Sequence, residues 1–183
     1  MKITLTYQGI LPASKRPPEK IDQIRQEFHR QLNKIWGRDQ LAILEEWRDN
    51  NFSAGAPDFR KQFGNRTYLP IASEEIHARV RLTLTLYKGI REDHPAYSHG
   101  DIDNRAKSII DALCVPVQQS RIPNCAPLRD TICLMSDDSL VDTLTVETAS
   151  LLAENDPTIT LAVVVADILP AKTISPDTLS IFV

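Results

Sequence analysis

Apolar positions along this chain recur with two periods, and these sort it into strands and helices. Residues 2–8, Lys-Ile-Thr-Leu-Thr-Tyr-Gln, alternate polar and apolar and predict a first strand ended by Gly9. From Pro18 or Glu19 to Trp36 the apolar residues fall at Ile21, Ile24, Phe28, Leu32 and Ile35, the spacing of a helix with one buried stripe. Lys20, Arg25, Arg30 and Lys34 are assigned to its other face. Leu41, Leu44 and Trp47 predict a further helix around Gln40–Arg48. Residues 49–72, rich in Asn, Gly and Pro, predict a long loop or insertion. The period then changes to two: between Ile76 and Lys88, Val80, Leu82, Leu84 and Leu86 face one way and Arg79, Arg81, Thr83, Thr85 and Tyr87 the other, as in a half-buried strand.

The second half continues in the same two periods. Ile102, Ala106, Ile109, Ile110 and Leu113 give the buried stripe of a short helix over 101–113, for which Asp101 or Asp103 is a suitable cap. A Pro-rich loop at 115–130 leads to three strands, Thr131–Met135, Leu140–Val146 and Thr158–Ile168. The last is apolar enough to be expected at the centre of a sheet or at a subunit interface. The order β-α-α-β-α-β-β predicts an α/β chain of the α+β type: a mixed sheet of about four to five strands with helices packed on it. One domain over 1–183 accommodates all of this, with a helical or loop insertion within 19–75 and a tail at 170–183 outside the pattern.

Charge is unevenly distributed. Residues 1–91 carry 16 Lys/Arg against 10 Asp/Glu, a balance of +6, and residues 92–183 carry 5 against 14, a balance of −9. A phosphate-binding surface beside a metal site produces such an asymmetry, and so do ordinary solvated helix faces. Cys114, Cys125 and Cys133 are odd in number and lack Cys-x-x-Cys spacing, which speaks against a disulfide framework or a zinc site and fits a reducing cytoplasm. The N-terminus lacks the apolar core of a signal peptide, and no stretch is apolar enough to span a bilayer, so no membrane association is expected.

The chemistry concentrates in Gly100-Asp-Ile-Asp-Asn-Arg-Ala-Lys-Ser-Ile-Ile-Asp-Ala-Leu113. Asp103, Lys107 and Asp111 are each four apart and line one helical face. A purely local account is available: an aspartate caps the helix, Asn104 serves the turn, and Lys107 pairs with Asp103 or Asp111. A calcium loop starting at Asp101 is excluded, because its sixth and twelfth positions are Ala106 and Ala112 where glycine and glutamate are needed. Asp137-Asp138, set just before an apolar strand, tips the balance away from the local account. Adjacent carboxylates repel and desolvate poorly. A hard cation such as Mg²⁺ relieves that cost, needing only a few carboxylate oxygens and keeping several waters.

The run Gly100-Asp101-Ile102-Asp103-Asn104-x-x-Lys107-x-x-x-Asp111-Ala112-Leu113, followed by Asp137-Asp138 and the strand Leu140–Val146, resembles the RusA-type Holliday junction resolvases. The likeness covers roughly residues 76–150, and the first strand with the basic Lys15-Arg16 loop also resembles the family's amino-terminal region. Residues 19–75 and the tail past Pro170 depart from it. The resemblance implies a RusA-like fold and a Mg²⁺-dependent endodeoxyribonuclease, with Mn²⁺ able to substitute, that resolves four-way DNA junctions by paired phosphodiester hydrolysis. It implies Asp101, Asp103 and one of Asp137 and Asp138, with Asp138 preferred, as metal ligands. Lys107 would stabilise charge at the scissile phosphate, with Asn104 and Asp111 in supporting positions. Lys15, Arg16, Arg79 and Arg81 are candidate contacts to the DNA backbone. A symmetric junction further implies a homodimer, without a nucleotide cofactor. The rival expectations are a non-catalytic junction-binding protein of the same fold and a flap or fork nuclease.

Overall fold

The computed structural model describes residues 1–12, 15–36, 60–89, 99–123, 130–151 and 159–169, with the side chains of Trp36, His99 and Asp101 outside that description. The helix expected at 40–48, most of the insertion within 19–75 and the tail at 170–183 lie outside the described residues. What is described is an α+β fold with two α-helices packed on two mixed sheets.

The period-two segments build the larger sheet. β1 (Lys2–Gly9), β7 (Thr160–Leu169), β4 (Arg79–Gly89) and β6 (Val141–Leu151) lie side by side in that order. β7 runs antiparallel to both β1 and β4, while β6 is parallel to β4 with a register shift between Val80 and Arg81. Val80, Leu82, Leu84 and Leu86 of β4 are buried, as their alternation predicted, together with Ile3 and Leu5 of β1 and Ala162, Val164, Ala166 and Ile168 of β7. The apolar character of β7 is explained by this central place in the sheet.

The single sheet expected from the sequence is in fact two, and the segment read as loop at 49–72 supplies part of the second. β2 (Lys61–Phe63) and β3 (Arg66–Ala72) form a hairpin, and β3 pairs in parallel with β5 (Asp130–Met135). The hairpin turns at Gly64-Asn65, where φ of +60° at Gly64 falls in the left-handed region open to glycine. Pro70 is compatible with β3 because β2 reaches only as far as Tyr68, so beyond that point β3 has a strand neighbour on one side alone. Tyr68, Leu69 and Ile71 are all buried, giving a continuous apolar run instead of alternation.

The helix α1 (Pro18–Trp36) matches its predicted span, and Ile21, Ile24, Phe28 and Leu32 enter the core. Arg25, assigned by the sequence to the polar face, is instead buried at 3% exposure beside Asp22. The second helix, α2 (His99–Leu113), starts two residues earlier than expected, so Asp101 and Asp103 lie inside the helix and not at its cap. Its Ala106, Ile109, Ala112 and Leu113 join one core with α1, the inner face of the larger sheet, Ile71 and Ala72 of β3 and Ile132, Leu134 and Met135 of β5. Two bonds to the β1–α1 connection fix α2's rotation about its axis: Arg105 Nη1 donates to the Leu11 carbonyl at 3.1 Å, and Ser108 Oγ to the Pro12 carbonyl at 3.2 Å. No helix of the described residues is long and apolar enough to cross a membrane.

Candidate phosphate and metal pocket

A cavity of about 350 Å³ opens where α1, the last half of α2, the segment after α2 and the turn after β5 meet. Lys107 and Asp111 reach it from α2, and Asp137 and Asp138 from the turn. Two sequence-distant parts of the predicted constellation therefore share one lining. The cause is local to each strand end. After α2, the Val115 backbone N–H donates to the Met135 carbonyl at 3.0 Å, which ties the helix exit to the end of β5. Ser136 N donates to the Ala72 carbonyl at 2.9 Å, so the chain leaves β5 beside the end of β3. It then enters a 3₁₀ turn, Asp138–Leu140, whose Leu140 is fully buried.

Asp137 caps that turn by accepting from the Ser139 backbone N–H at 2.9 Å. The Ser139 hydrogen bonds are the main cause that holds the Asp137 carboxyl below the usual carboxylate range, with a weaker contribution from Lys61. One Asp137 oxygen is thus engaged in the fold, whereas Asp138 is exposed, with its side chain within hydrogen-bond reach of Asp137. Ser139 Oγ donates to Glu74 Oε1 at 3.2 Å, anchoring the turn to the connection between β3 and β4.

Arg25 governs the α2 side of the cavity. Its Nη1 donates to Asp22 Oδ1 at 3.2 Å, Nε to the Cys114 carbonyl at 3.2 Å and Nη2 to the Asp111 carbonyl at 2.9 Å. A buried cation thereby satisfies carbonyls at the C-terminus of α2, where the helix dipole favours positive charge. Sequence reasoning missed this residue although a signal was present: Ile21, Arg25, Phe28 and Leu32 follow one helical stripe, so Arg25 stood among core positions.

The ion pairs differ from those the helical spacing suggested. Asp111 is taken by Arg16, whose Nη1 lies 2.8 Å from Oδ2. Lys107 has no carboxylate within ion-pair reach among the described residues, neither Asp103 nor Asp111. With Arg25 balanced by Asp22 and Arg16 by Asp111, two cations, Lys107 and Arg121, and two carboxylates, Asp137 and Asp138, remain in the lining without an ion-pair partner among the described residues.

Other predicted residues are placed elsewhere. Asp103 is exposed on α2 and does not line the cavity, and the Asp101 side chain lies outside the described residues. Asn104 is half-buried and its carbonyl accepts from Ser108 Oγ at 2.9 Å. Lys15 is exposed off the lining, while Arg16 is part of it. Arg79 and Arg81 project from the outer side of β4, where Arg81 Nε stands 4.0 Å from Asp142 in an exposed pair. They do not line the cavity. Conversely, Arg121, which sequence reasoning passed over in a Pro-rich loop, does.

Among the described residues no three His, Cys, Asp or Glu side chains gather into a metal-holding group. The donor chemistry of the cavity nonetheless suits a hard cation. Among the described residues its ligating groups are carboxylate oxygens, no described histidine lines it, and the Cys114 thiol at its wall is pushed far up by burial and stays protonated. A magnesium ion commonly takes one or two carboxylates and completes its shell with water and phosphate oxygens. No family model, curated protein or solved structure matches this chain.

Proposed function

We propose that this protein is a Mg²⁺-dependent endonuclease acting on branched DNA, with the four-way junction as its substrate. The observation that carries the reading is the convergence of Lys107 with Asp137 and Asp138 in one cavity, from positions about thirty residues apart, with Arg16 and Arg121 in the same lining. The sequence resemblance to RusA-type resolvases supports it independently of that geometry.

Asp138, the more exposed of the adjacent pair, is the described carboxylate best placed to hold the cation, with Asp137 beside it. Such a cation screens phosphate charge and supplies an activated water at neutral pH. Lys107 offers an ammonium without a competing carboxylate among the described residues, which suits it to the charge that builds on a phosphoryl oxygen during hydrolysis. Arg25, by holding the carbonyls at the end of α2, keeps the Lys107 face turned to the cavity. Resolution of a symmetric junction calls for two such sites related by a two-fold axis, so the reading includes a homodimer.

A second reading, a junction-binding protein without turnover, is favoured by the place of Asp103 outside the cavity and by the lack of a three-carboxylate group among the described residues. Cleavage of an end-labelled four-way junction in Mg²⁺ separates the two. The nuclease reading expects paired symmetric nicks. Asp138→Asn should abolish them, and Lys107→Met should slow them by about 10²–10³-fold, the usual cost of removing one transition-state donor. Both variants should still bind the junction. Tight binding with no cleavage in Mg²⁺ or Mn²⁺ would establish the second reading, and cleavage untouched by either substitution would remove this cavity from the chemistry.

A further inference from the structure

We propose that the cavity grips the DNA backbone between two arginines, Arg121 and Arg16, and that Asp111 holds Arg16 in position until a phosphate displaces it. The proposal rests on the nuclease reading and adds to it the residues that bind the phosphodiester chain beyond the cut.

Arg121 stands on a rigid base. It closes the 3₁₀ turn Gln119–Arg121, in which its backbone N–H donates to the Gln118 carbonyl and that of Ile122 to Gln119, both at 3.0 Å. The preceding Val115 is bonded to Met135, and Pro116 is buried with its φ fixed by the ring. From this base the exposed guanidinium lines the cavity, yet makes no side-chain hydrogen bond or ion pair among the described residues. Asp137 and Asp138 are in the same lining, but neither comes within ion-pair distance of Arg121. Its five donors are presented to whatever enters.

Arg16 reaches the cavity from the segment before α1. Its partner Asp111 lies in the last turns of α2, where Arg25 donates to its carbonyl, and the two side chains are 25% and 33% exposed. An ion pair so exposed contributes about 0–1 kcal/mol, little enough for a phosphate to displace. Arginine–phosphate hydrogen bonds are charge-assisted and often bidentate, so the exchange favours the ligand. Asp111 therefore pre-positions a cation that would otherwise be a floppy surface side chain, at a small cost in affinity. The ligand chemistry is a run of phosphodiesters, since the cations Arg16, Lys107 and Arg121 are contributed by three different elements around one opening.

Salt dependence tests this directly. Binding of a fluorescein-labelled four-way junction to the full chain in EDTA is followed by anisotropy over a series of NaCl concentrations. Each phosphate contact contributes about 0.9 to the slope of log K against log salt, so Arg121→Gln and Arg16→Gln should each lower the slope by about that amount. Arg121→Lys should keep it. Asp111→Asn should leave the slope unchanged and tighten binding by up to about fivefold, the worth of the exposed pair it frees. Lys34→Gln, an exposed cation at the end of α1 away from the cavity, should change nothing. A wild-type slope in Arg121→Gln, in a protein that binds and cuts junctions, overturns the clamp and spares the nuclease reading. A wild-type chain that does not bind junction DNA at all overturns both.

Discussion

Replacing Arg25 by methionine removes the guanidinium at nearly constant volume and tests how the two helices are joined. Three bonds are lost: one to the Asp22 carboxylate and two to the carbonyls of Asp111 and Cys114. Asp22 is 4% exposed, so its charge is left buried without a partner. Breaking a buried pair from one side typically costs about 3–5 kcal/mol. The two helix-end carbonyls lose net bonds worth about 0.5–1.5 kcal/mol each, part of which is already inside that figure. A total loss of about 3–5 kcal/mol is therefore expected, a large fraction of the roughly 5–15 kcal/mol of a typical domain. In urea titration followed by tryptophan fluorescence and circular dichroism, the midpoint should fall by roughly 2 M at unchanged slope, for slopes of about 1–3 kcal/mol per M. The double variant Asp22→Asn/Arg25→Met, which removes both charges, should recover about 1–3 kcal/mol of the loss. A single-variant loss below about 1 kcal/mol, or a double variant no better than the single, would refute the view that a buried ion pair ties α1 to the end of α2.

Two further outcomes follow from other parts of the fold. His29 Nδ1 accepts from the Ile132 backbone N–H at 2.9 Å, and burial lowers its pKa below the ordinary 6.5 against an opposing pull from Asp130. The unfolded chain then takes up the proton first, so stability should begin to fall as pH drops through about 6.5 and level off below the folded value; urea midpoints between pH 8 and 5 should show this slope and lose it in His29→Gln. On one side of the larger sheet, Leu84→Ala should cost about 2–5 kcal/mol because Leu84 is fully buried, whereas Leu144→Ala should cost under about 1 kcal/mol because its own strand, β6, is an edge of the sheet and Leu144 is 45% exposed; equal losses in thermal melts would contradict the packing described.

Much of the architecture was legible because burial falls on one side of its elements. The stripes of α1 and α2 and the alternation of β4 are direct records of a helix or strand with one wet face. β3 escaped because both its faces are covered and a proline interrupts it, so its run carries no alternation and reads as a loop. The division into two sheets escaped for a different reason: β3 pairs with β5, and β7 slots between β1 and β4, through contacts that no local pattern encodes. In the candidate site, residue type and spacing singled out Lys107, Asp111, Asp137 and Asp138, which share the cavity. They could not indicate that Arg16, and not Lys107, takes Asp111, nor that Arg121 would be carried to the rim by a turn in an irregular segment. The assignment of Arg25 to a wet face erred because charge outweighed position.

The order of the larger sheet also governs how the molecule can come into being. β7 is the bridge between β1 and β4, and it is the last strand in the described chain. During synthesis β1 therefore emerges without its partner and must wait for about 150 further residues, which at roughly 5–20 residues per second is on the order of ten seconds or more. Until then the nascent chain exposes two strand edges and the apolar inner faces of β1 and β4, the surfaces that invite mispairing. The hairpin of β2 and β3 and the parallel pair of β4 and β6 can form earlier, but the central seam closes only at the end. Completion of the sheet is thus a single late event, dominated by contacts distant in sequence and correspondingly slow.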